Sequence, residues 1–223
     1  MFGNLYIVAT PIGNLEDITL RALKTLKGVN FILAEDTRVT SKLLMHYEID
    51  IPTLSYHQHS SDSKKFEILK MLLDGKNLAL VTDAGTPGIS DPGNELIDFI
   101  LEKEPNLKII PIPGASAVTT ALSVSGFKAF NYVFLGFLQK KGNTKLFEWL
   151  KNGKITFTFY ESPKRILKTL NNLGDNFGED TKVFVASELT KMHENTYRGS
   201  IKEVTEKLEK SVLKGEMVVV VSF

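Results

Sequence analysis

Residues 78–93 read LALVTDAGTPGISDPG, an apolar run of four residues followed by a loop with three glycines, two prolines and two aspartates. A short apolar run bounded by turn residues is typical of a buried strand. After the loop, residues 92–101 are predicted to form a helix. A strand, a loop and a helix in this order are the repeating unit of an α/β fold built on parallel strands.

The same unit recurs on both sides of this stretch. Segments with apolar residues at helical spacing separate the apolar runs, for example Leu20, Leu23 and Leu26 before residue 31. The pattern predicts an α/β protein with mainly parallel sheets. The predicted strands are residues 5–8, 31–34, 78–81, 108–110, 132–137, 155–160, 182–186 and 217–221.

A domain boundary is indicated by residues 110–115, which read IPIPGA. Proline donates no backbone hydrogen bond, so two prolines here exclude a central strand. We therefore expect two α/β domains, residues 1–112 and residues 113–223.

Composition excludes several classes of protein. The 223 residues hold 27 Lys and Arg against 26 Asp and Glu, a net charge of +1, and no cysteine. Disulfide scaffolds, thiolate nucleophiles and iron-sulfur clusters are therefore excluded. No apolar run approaches the roughly 20 residues that span a bilayer. The N-terminus lacks the basic residues of a signal peptide, so we expect a cytoplasmic protein without membrane contact.

The loop at residues 82–93 is the strongest candidate for a binding site. Glycines allow a ligand to approach the backbone closely, and prolines keep the loop rigid. As an alternative, Asp91 and Pro92 simply begin the next helix, but this leaves Asp83–Ser90 without a role. The turn-rich residues 9–17 and the small residues 113–117 follow two other predicted strands. No P-loop and no GxGxxG pattern follows any of them.

Charged side chains also follow two predicted strands. Glu161 ends one strand and precedes Lys164 and Arg165, which we place one turn into the next helix, and Glu35, Asp36 and Arg38 follow another. Taken singly, each group is better explained as a solvated helix start with surface ion pairs worth about 0 to 1 kcal/mol.

Local charge differs from the overall balance. Residues 138–170 hold eight basic and two acidic side chains, a net charge of +6. Such a stretch suits phosphate groups, although charged helix faces are usually only solvated. His57 and His59 lack a third ligand nearby, so no metal site is predicted. Residues 127–137 alternate like a buried strand, with their phenylalanines in the core.

Seven blocks together resemble the tetrapyrrole methylase superfamily, class III methyltransferases, and more closely its ribosomal RNA small subunit methyltransferase I branch. They occur in order along nearly the whole chain, and DAGTPGISDPG and FYESPKR distinguish this branch from the corrin and siroheme methylases. The blocks are LYIVATPIGNLEDITLRA, LAEDTR, LVTDAGTPGISDPG, PIPGASA, FYESPKRI, ASELTKMHE and GEMVVVV.

The resemblance implies a homodimer that binds S-adenosyl-L-methionine in a cleft between two α/β domains and methylates the ribose 2'-hydroxyl of a cytidine in 16S ribosomal RNA of the small ribosomal subunit. The first expected catalytic carboxylate is Glu161, because Lys164 and Arg165 beside it could hold neighbouring phosphates. Glu35 is the second, and Asp36 and Glu188 are left open. Expected cofactor contacts are Pro11, Ile12, Asp83, Ala84, Gly85, Thr86, Ile89, Ser90, Ala115, Ser116, Ala117, Tyr160, Ala186, Met217 and Val218. Expected RNA contacts are Arg38, Lys140, Lys141, Lys164 and Arg165.

Two departures from the family pattern stand out. Related methylases often have Gly-Asp-Pro where this chain has Gly85-Thr86-Pro87, so an acidic contact is missing. Members of this branch also commonly continue beyond the GEMVVVV strand. Two other functions stay open: methylation of a tetrapyrrole or another non-RNA acceptor, and a non-catalytic RNA-binding assembly module.

Overall fold

A computed structural model describes residues 2–139 and 142–223. The chain divides into two compact units, Met1–Ser116 and Ala117–Phe223. The sequence places the domain boundary four residues earlier, after residue 112. In the first unit the elements are β1 (Leu5–Val8), α1 (Leu20–Gly28), β2 (Phe31–Ala34), α2 (Thr37–His46), β3 (Thr53–Ser55), α3 (Asp62–Leu73), β4 (Leu78–Val81), α4 (Asn94–Lys103) and β5 (Ile109–Ile112).

The first unit is a parallel sheet with the strand order β3-β2-β4-β1-β5. Alternate residues of its strands enter two apolar clusters, one on each face; Leu80 belongs to one cluster and Val81 to the other. Burial on both faces explains why these strands are continuous apolar runs in the sequence. Pro111 lies in β5, which is an edge strand as the two prolines require.

The second unit is built on a mixed sheet with the order β6-β7-β10-β8-β9. Only β6 and β7 are parallel, whereas the other three pairs are antiparallel. The α/β class and the parallel first sheet are confirmed, and the second sheet departs from the parallel expectation. Its elements are α5 (Ala117–Ser125), β6 (Tyr132–Phe137), α6 (Thr144–Gly153), β7 (Thr156–Glu161), α7 (Ile166–Phe177), β8 (Lys182–Ser187), β9 (Asn195–Ser200), α8 (Ile201–Glu209) and β10 (Met217–Ser222).

The prediction that residues 127–137 form a buried strand is wrong. Strand β6 lies at the edge of the second sheet, and none of its six residues is fully buried. Phe130 precedes the strand and is 94% exposed, while Phe137 ends it half-exposed. Period-two alternation shows that a strand has two faces, but it does not show whether a neighbour covers either face.

Candidate functional site

The loops after β1 and β4 are joined by backbone hydrogen bonds. The Thr10 amide donates to the Gly85 carbonyl at 2.9 Å, and the Gly85 amide donates to the Thr10 carbonyl at 3.1 Å. The Thr10 hydroxyl, in a residue only 3% exposed, also donates to the Thr82 carbonyl at 3.1 Å. Because β1 and β4 are parallel neighbours, their carboxyl ends meet at one edge, where ligands of α/β sheets bind. Sequence reasoning missed Thr10, which resembles any turn residue.

A third loop, after β5, reaches the same edge. The Thr86 hydroxyl donates to the Ala115 carbonyl at 3.4 Å. Gly85 has φ of +87°, and a Cβ atom on it would lie 3.5 Å from Ile12 Cγ2 and 3.8 Å from the Ala115 oxygen. Gly85 therefore lies in a backbone cradle between the other two loops.

The structure brings most of the expected cofactor residues of the first unit to this edge. Pro11 and Gly85 are buried and anchor the loops, whereas the side of the glycine-rich loop formed by Asp83, Ala84, Ile89 and Ser90 is exposed. Four further expected contacts of the first unit are half-buried: Ile12, Thr86, Ala115 and Ser116. Ala117, the first residue of α5 in the second unit, is also half-buried. At this edge of the first sheet, the groups that a ligand could reach are therefore mostly backbone groups and small side chains.

The alternative that Asp91 caps a helix at residues 92–101 is wrong. Helix α4 begins at Asn94, with Gly93 at its N-cap. The loop remains irregular as far as Gly93 because it folds back on itself: the Asn94 side-chain amide donates to the Gly88 carbonyl at 2.7 Å. A Cβ on Gly93 would lie only 3.1 Å from the Gly88 nitrogen.

Three acidic side chains lie at the adjacent carboxyl ends of β2 and β4. Glu35 Oε2 accepts from the Thr82 hydroxyl at 2.6 Å, and Asp83 Oδ1 accepts from the Asp36 amide at 3.1 Å. Hydrogen bonds from Arg38 lower the pKa of Asp36 to about 2. Burial raises the pKa of Asp83, and the charges of Glu35 and Asp36 add to this effect. Arg38 offsets the charge of Asp36, and Glu35 and Asp83 leave a net negative charge that suits a cationic ligand.

We expect Asp83→Asn to raise the free energy of unfolding at pH 7. A carboxyl whose pKa is raised above its ordinary 3.8 in the folded protein is more favourable when protonated, so its charge costs stability as pH rises through the folded pKa. Asparagine removes that charge and keeps an oxygen for the Asp36 amide. Urea unfolding between pH 3 and pH 8 measures the difference, which should vanish below pH 3.8. A gain that is independent of pH would contradict this explanation.

In the second unit, three expected cofactor residues form one row across the sheet. Val218 of β10 pairs with Tyr160 of β7 on one side and with Ala186 of β8 on the other. The Tyr160 ring contacts Phe134 and Phe137, with centroid distances of 5.0 and 5.4 Å. Met217 pairs with Glu161 in the next row, so its side chain points to the opposite face.

Glu161 is fully buried at the end of β7. Its carboxylate accepts from the Ser162 amide at 2.8 Å and from the Thr169 hydroxyl at 2.7 Å, and it pairs with Arg165 at 3.3 Å. Arg165 also donates to the Leu138 carbonyl at 2.8 Å. Thr169, which sequence reasoning missed, reaches Glu161 from α7. The geometry suits a carboxylate that holds Arg165 in place, and its role as a base stays a prediction.

Of the expected RNA contacts, Arg38 is 87% exposed and pairs with Asp36 at 2.6 Å. Lys164 is exposed and Arg165 is partly buried. Helix α7 begins only at Ile166, so these two lie in the turn before it and not one turn inside. Lys140 and Lys141 lie outside the described residues.

The basic stretch of residues 138–170 does not form one surface. Lys154 precedes β7 and Lys164 follows it, and six strand residues extend over about 16 Å between their outer Cα atoms. The stretch therefore supplies cations to both ends of the second sheet.

Within the described residues, no three His, Asp or Glu side chains come together in a way that could hold a metal ion. None of the described helices is both long and apolar enough to cross a bilayer.

The two α/β units, with loops gathered at the carboxyl ends of the first sheet, define the class of fold to which this protein belongs. A family model described as Tetrapyrrole (Corrin/Porphyrin) Methylases matches residues 4–205. A solved structure of uroporphyrin-III C-methyltransferase from Thermus thermophilus, complexed with S-adenyl homocysteine, has a TM-score of 0.67 at 17% identity, over 98% of this chain and 97% of that one. At this identity the likeness concerns the fold alone.

Curated relatives identify the branch of this family to which the chain is most similar. A protein from Synechocystis named Ribosomal RNA small subunit methyltransferase I is 46% identical over 222 residues, which are 99% of this chain and 79% of that protein. One of the same name from Thermotoga maritima is 45% identical over 221 residues, 99% of this chain and 98% of that protein. The chain belongs to the ribosomal RNA small subunit methyltransferase I family of tetrapyrrole methylases. The resemblance is confirmed, and at the level of the family so is the expected cofactor, S-adenosyl-L-methionine.

Proposed function

We propose that this protein transfers a methyl group from S-adenosyl-L-methionine to the ribose 2'-hydroxyl of a cytidine in 16S ribosomal RNA of the small ribosomal subunit. The observation that carries the proposal is the 45–46% identity to relatives of that named class over nearly the whole chain. Because its substrate is a ribosomal subunit, we place its action in the cytoplasm, and we propose that it acts as a homodimer.

The residues of the first unit fit this cofactor. The cradle at Gly85 lies between the loops that carry Ile12 and Ala115, where a Cβ would take up space. The carboxylates of Glu35, Asp36 and Asp83 lie at neighbouring strand ends and favour a cation. When bound, S-adenosyl-L-methionine supplies a methyl group on a positively charged sulfur. We propose that the cradle holds its neutral parts while the acidic cluster attracts its charge. In the second unit, Tyr160, Ala186 and Val218 are the proposed side-chain contacts. Met217, whose side chain points to the opposite face, is proposed as a contact through its backbone only.

A ribose hydroxyl is a weak nucleophile, so a base that accepts its proton accelerates transfer. Glu35 is partly exposed, and its Oε1 makes no hydrogen bond within the described residues, so that oxygen is available to accept a proton. Glu161 has both oxygens engaged and no exposed surface. We propose Glu35 as the base and Glu161 as a positioning residue that acts through Arg165.

The test is to incubate purified small subunits, lacking the modification, with labelled S-adenosyl-L-methionine and to map the labelled nucleotide. We expect label on the 2'-oxygen of one cytidine in 16S RNA. Label on a base, or on a tetrapyrrole or protein acceptor only, would contradict the proposal. Cofactor binding without transfer to any acceptor would instead support a non-catalytic RNA-binding module.

We expect alanine at Lys140, Lys141 and Lys164 to weaken the binding of small-subunit RNA and to flatten its salt dependence. Each lysine that neutralises a phosphate contributes about 0.7 to the slope of log affinity against log salt for single strands. The triple variant should therefore lose about 2 from that slope. Arg165→Ala is measured separately because Arg165 also pairs with Glu161. Equal slopes for the variant and the parent would refute these RNA contacts.

A further inference from the structure

A pocket of about 650 Å³ opens at the end of the second sheet opposite to Glu161. This volume lies within the range of small-molecule sites, about 300–1,000 Å³. Its walls come from the amino-terminal ends of β6, β7 and β8 and from the last residues of β9 and β10. We call it the basic pocket; the lining residues that matter here are Lys128, Lys154, Lys182, Arg198, Phe130 and Phe223.

The charge of the basic pocket is one-sided. Four cationic side chains line it, and no Asp or Glu side chain does. None of the four forms an ion pair within the described residues, where seven other ion pairs occur. Outside the lining, the pKa of Glu203 is lowered, first by the hydrogen bond from the Ser200 amide and in part by Lys182. Because like charges in one concavity repel each other, the site favours a polyanion.

One of the cations is held in a defined position. Arg198 Nε donates to the Ser125 carbonyl at 2.7 Å, and its guanidinium lies over the Phe127 ring at 5.0 Å from the centroid. Lys154 directly follows helix α6 and has φ of +47°, a left-handed conformation that is common where helices end.

Aromatic side chains complete the pocket. Phe130 is 94% exposed, so its ring is accessible for stacking, whereas Phe223 is 43% exposed and its ring packs against Phe177 at 5.4 Å between centroids. An exposed phenylalanine beside unpaired lysines matches a ligand that carries a flat apolar group and a phosphate on each repeat. Single-stranded nucleic acid has this chemistry, because bases stack on aromatic rings while cations track the backbone. An acidic peptide has the charge but not the stacking bases.

We infer that the basic pocket is a second RNA-binding site, in which Lys128, Lys154 and Lys182 hold phosphates of a single-stranded segment and a base stacks on Phe130. The inference rests on the proposed function in taking ribosomal RNA as the source of that segment. The site lies at the opposite end of the second sheet from Lys164 and Arg165, so it is an additional contact and not an extension of theirs.

The test measures binding of a fluorescent twelve-nucleotide single-stranded RNA to the full chain over a range of salt concentrations. Alanine at all three pocket lysines should lower affinity at least tenfold and reduce the salt slope by about 2. The matched control is alanine at Lys24, Lys27 and Lys70, three exposed lysines of the first unit, which changes the charge equally. An equal loss in both triple variants would overturn the inference, because only the overall charge would then matter.

Phe130→Ala separates stacking from charge. It should weaken RNA binding about 5- to 150-fold but leave binding of inorganic polyphosphate, which has no bases, unchanged. Met45→Ala removes a side chain that is 79% exposed and serves as the control for an exposed apolar residue. Equal losses for RNA and polyphosphate would overturn the stacking contact. Cytidine monophosphate that binds as tightly as the RNA would overturn the assignment to a strand.

Two further outcomes keep the inference separate from the proposed function. If the parent methylates small subunits and the pocket variants bind RNA normally, the second site is wrong and the function stands. If the parent methylates nothing and the pocket variants still lose RNA binding, the function is wrong and the site stands. Sedimentation of the same variants reports oligomeric state. A shift there without loss of RNA binding would assign the pocket to contact between copies and overturn the inference.

Discussion

Replacing Glu161 with glutamine is expected to lower kcat for subunit methylation about 100-fold while the Kd for S-adenosyl-L-methionine changes less than twofold. Glutamine keeps the size of the side chain but loses the charge that holds Arg165 at 3.3 Å. If Arg165 is displaced, the RNA that it is expected to contact is displaced as well. A shift near 1 Å in a reacting group costs about 100-fold in rate. Steady-state kinetics measure kcat, single-turnover kinetics measure the methyl-transfer step, and calorimetry measures cofactor binding.

The pH dependence of kcat distinguishes positioning from base catalysis. If Glu161 positions Arg165, E161Q lowers the whole profile and leaves its acidic limb in place, whereas Glu35→Gln removes that limb. Glu148→Gln makes the same chemical change at an exposed position on α6 and serves as the control. Loss of the acidic limb in E161Q would assign the base to Glu161 after all, and an unchanged kcat would remove Glu161 from the mechanism.

The second large effect is expected from Gly85→Ala, which should weaken binding of S-adenosyl-L-methionine at least tenfold. The new methyl group would fill the cradle, 3.5 Å from Ile12 Cγ2 and 3.8 Å from the Ala115 oxygen. It would also force an L-residue to adopt φ of +87°, which costs about 1–2 kcal/mol of stability. Calorimetry measures the affinity and urea unfolding measures the stability.

Gly178→Ala separates crowding from backbone strain. Gly178 follows α7 with φ of +99°, and a Cβ there would have no neighbour within 4 Å. Gly178→Ala should therefore lower stability about as much as Gly85→Ala does, without lowering the affinity for S-adenosyl-L-methionine. If the two variants lose stability equally and both keep the affinity of the parent, the cradle does not contact the cofactor.

The buried strands of the first sheet could be predicted because parallel strands covered on both faces are apolar throughout, as in Leu78–Val81. Two edge strands were missed. Strand β3 has three residues, none of them buried, and β9 reads NTYRGS with only its last residue buried. An edge strand is held by hydrogen bonds to one neighbour, and its composition does not distinguish it from a loop.

In the candidate site, too, some features could be predicted from the sequence and others could not. The glycine-rich loop could be recognised from composition, because only particular residue types allow its turns and close approaches, as at Gly85. Thr10 and Thr169 could not, since their hydroxyls matter only through partners 72 and eight residues away. Burial of the Glu161 carboxylate likewise depends on α7 packing over the end of β7.

By itself, the sequence determined the α/β class and the parallel first sheet, because these depend on local periodicity, and its seven blocks identified the family. It also predicts the loops of the cofactor site. The tertiary structure decided which charges act together. It divided the basic stretch of residues 138–170 between the two ends of β7 and brought Lys128, Lys154, Lys182 and Arg198 into one pocket. Electrostatic interactions depend on distance in space, and neighbours in a sheet are distant along the chain.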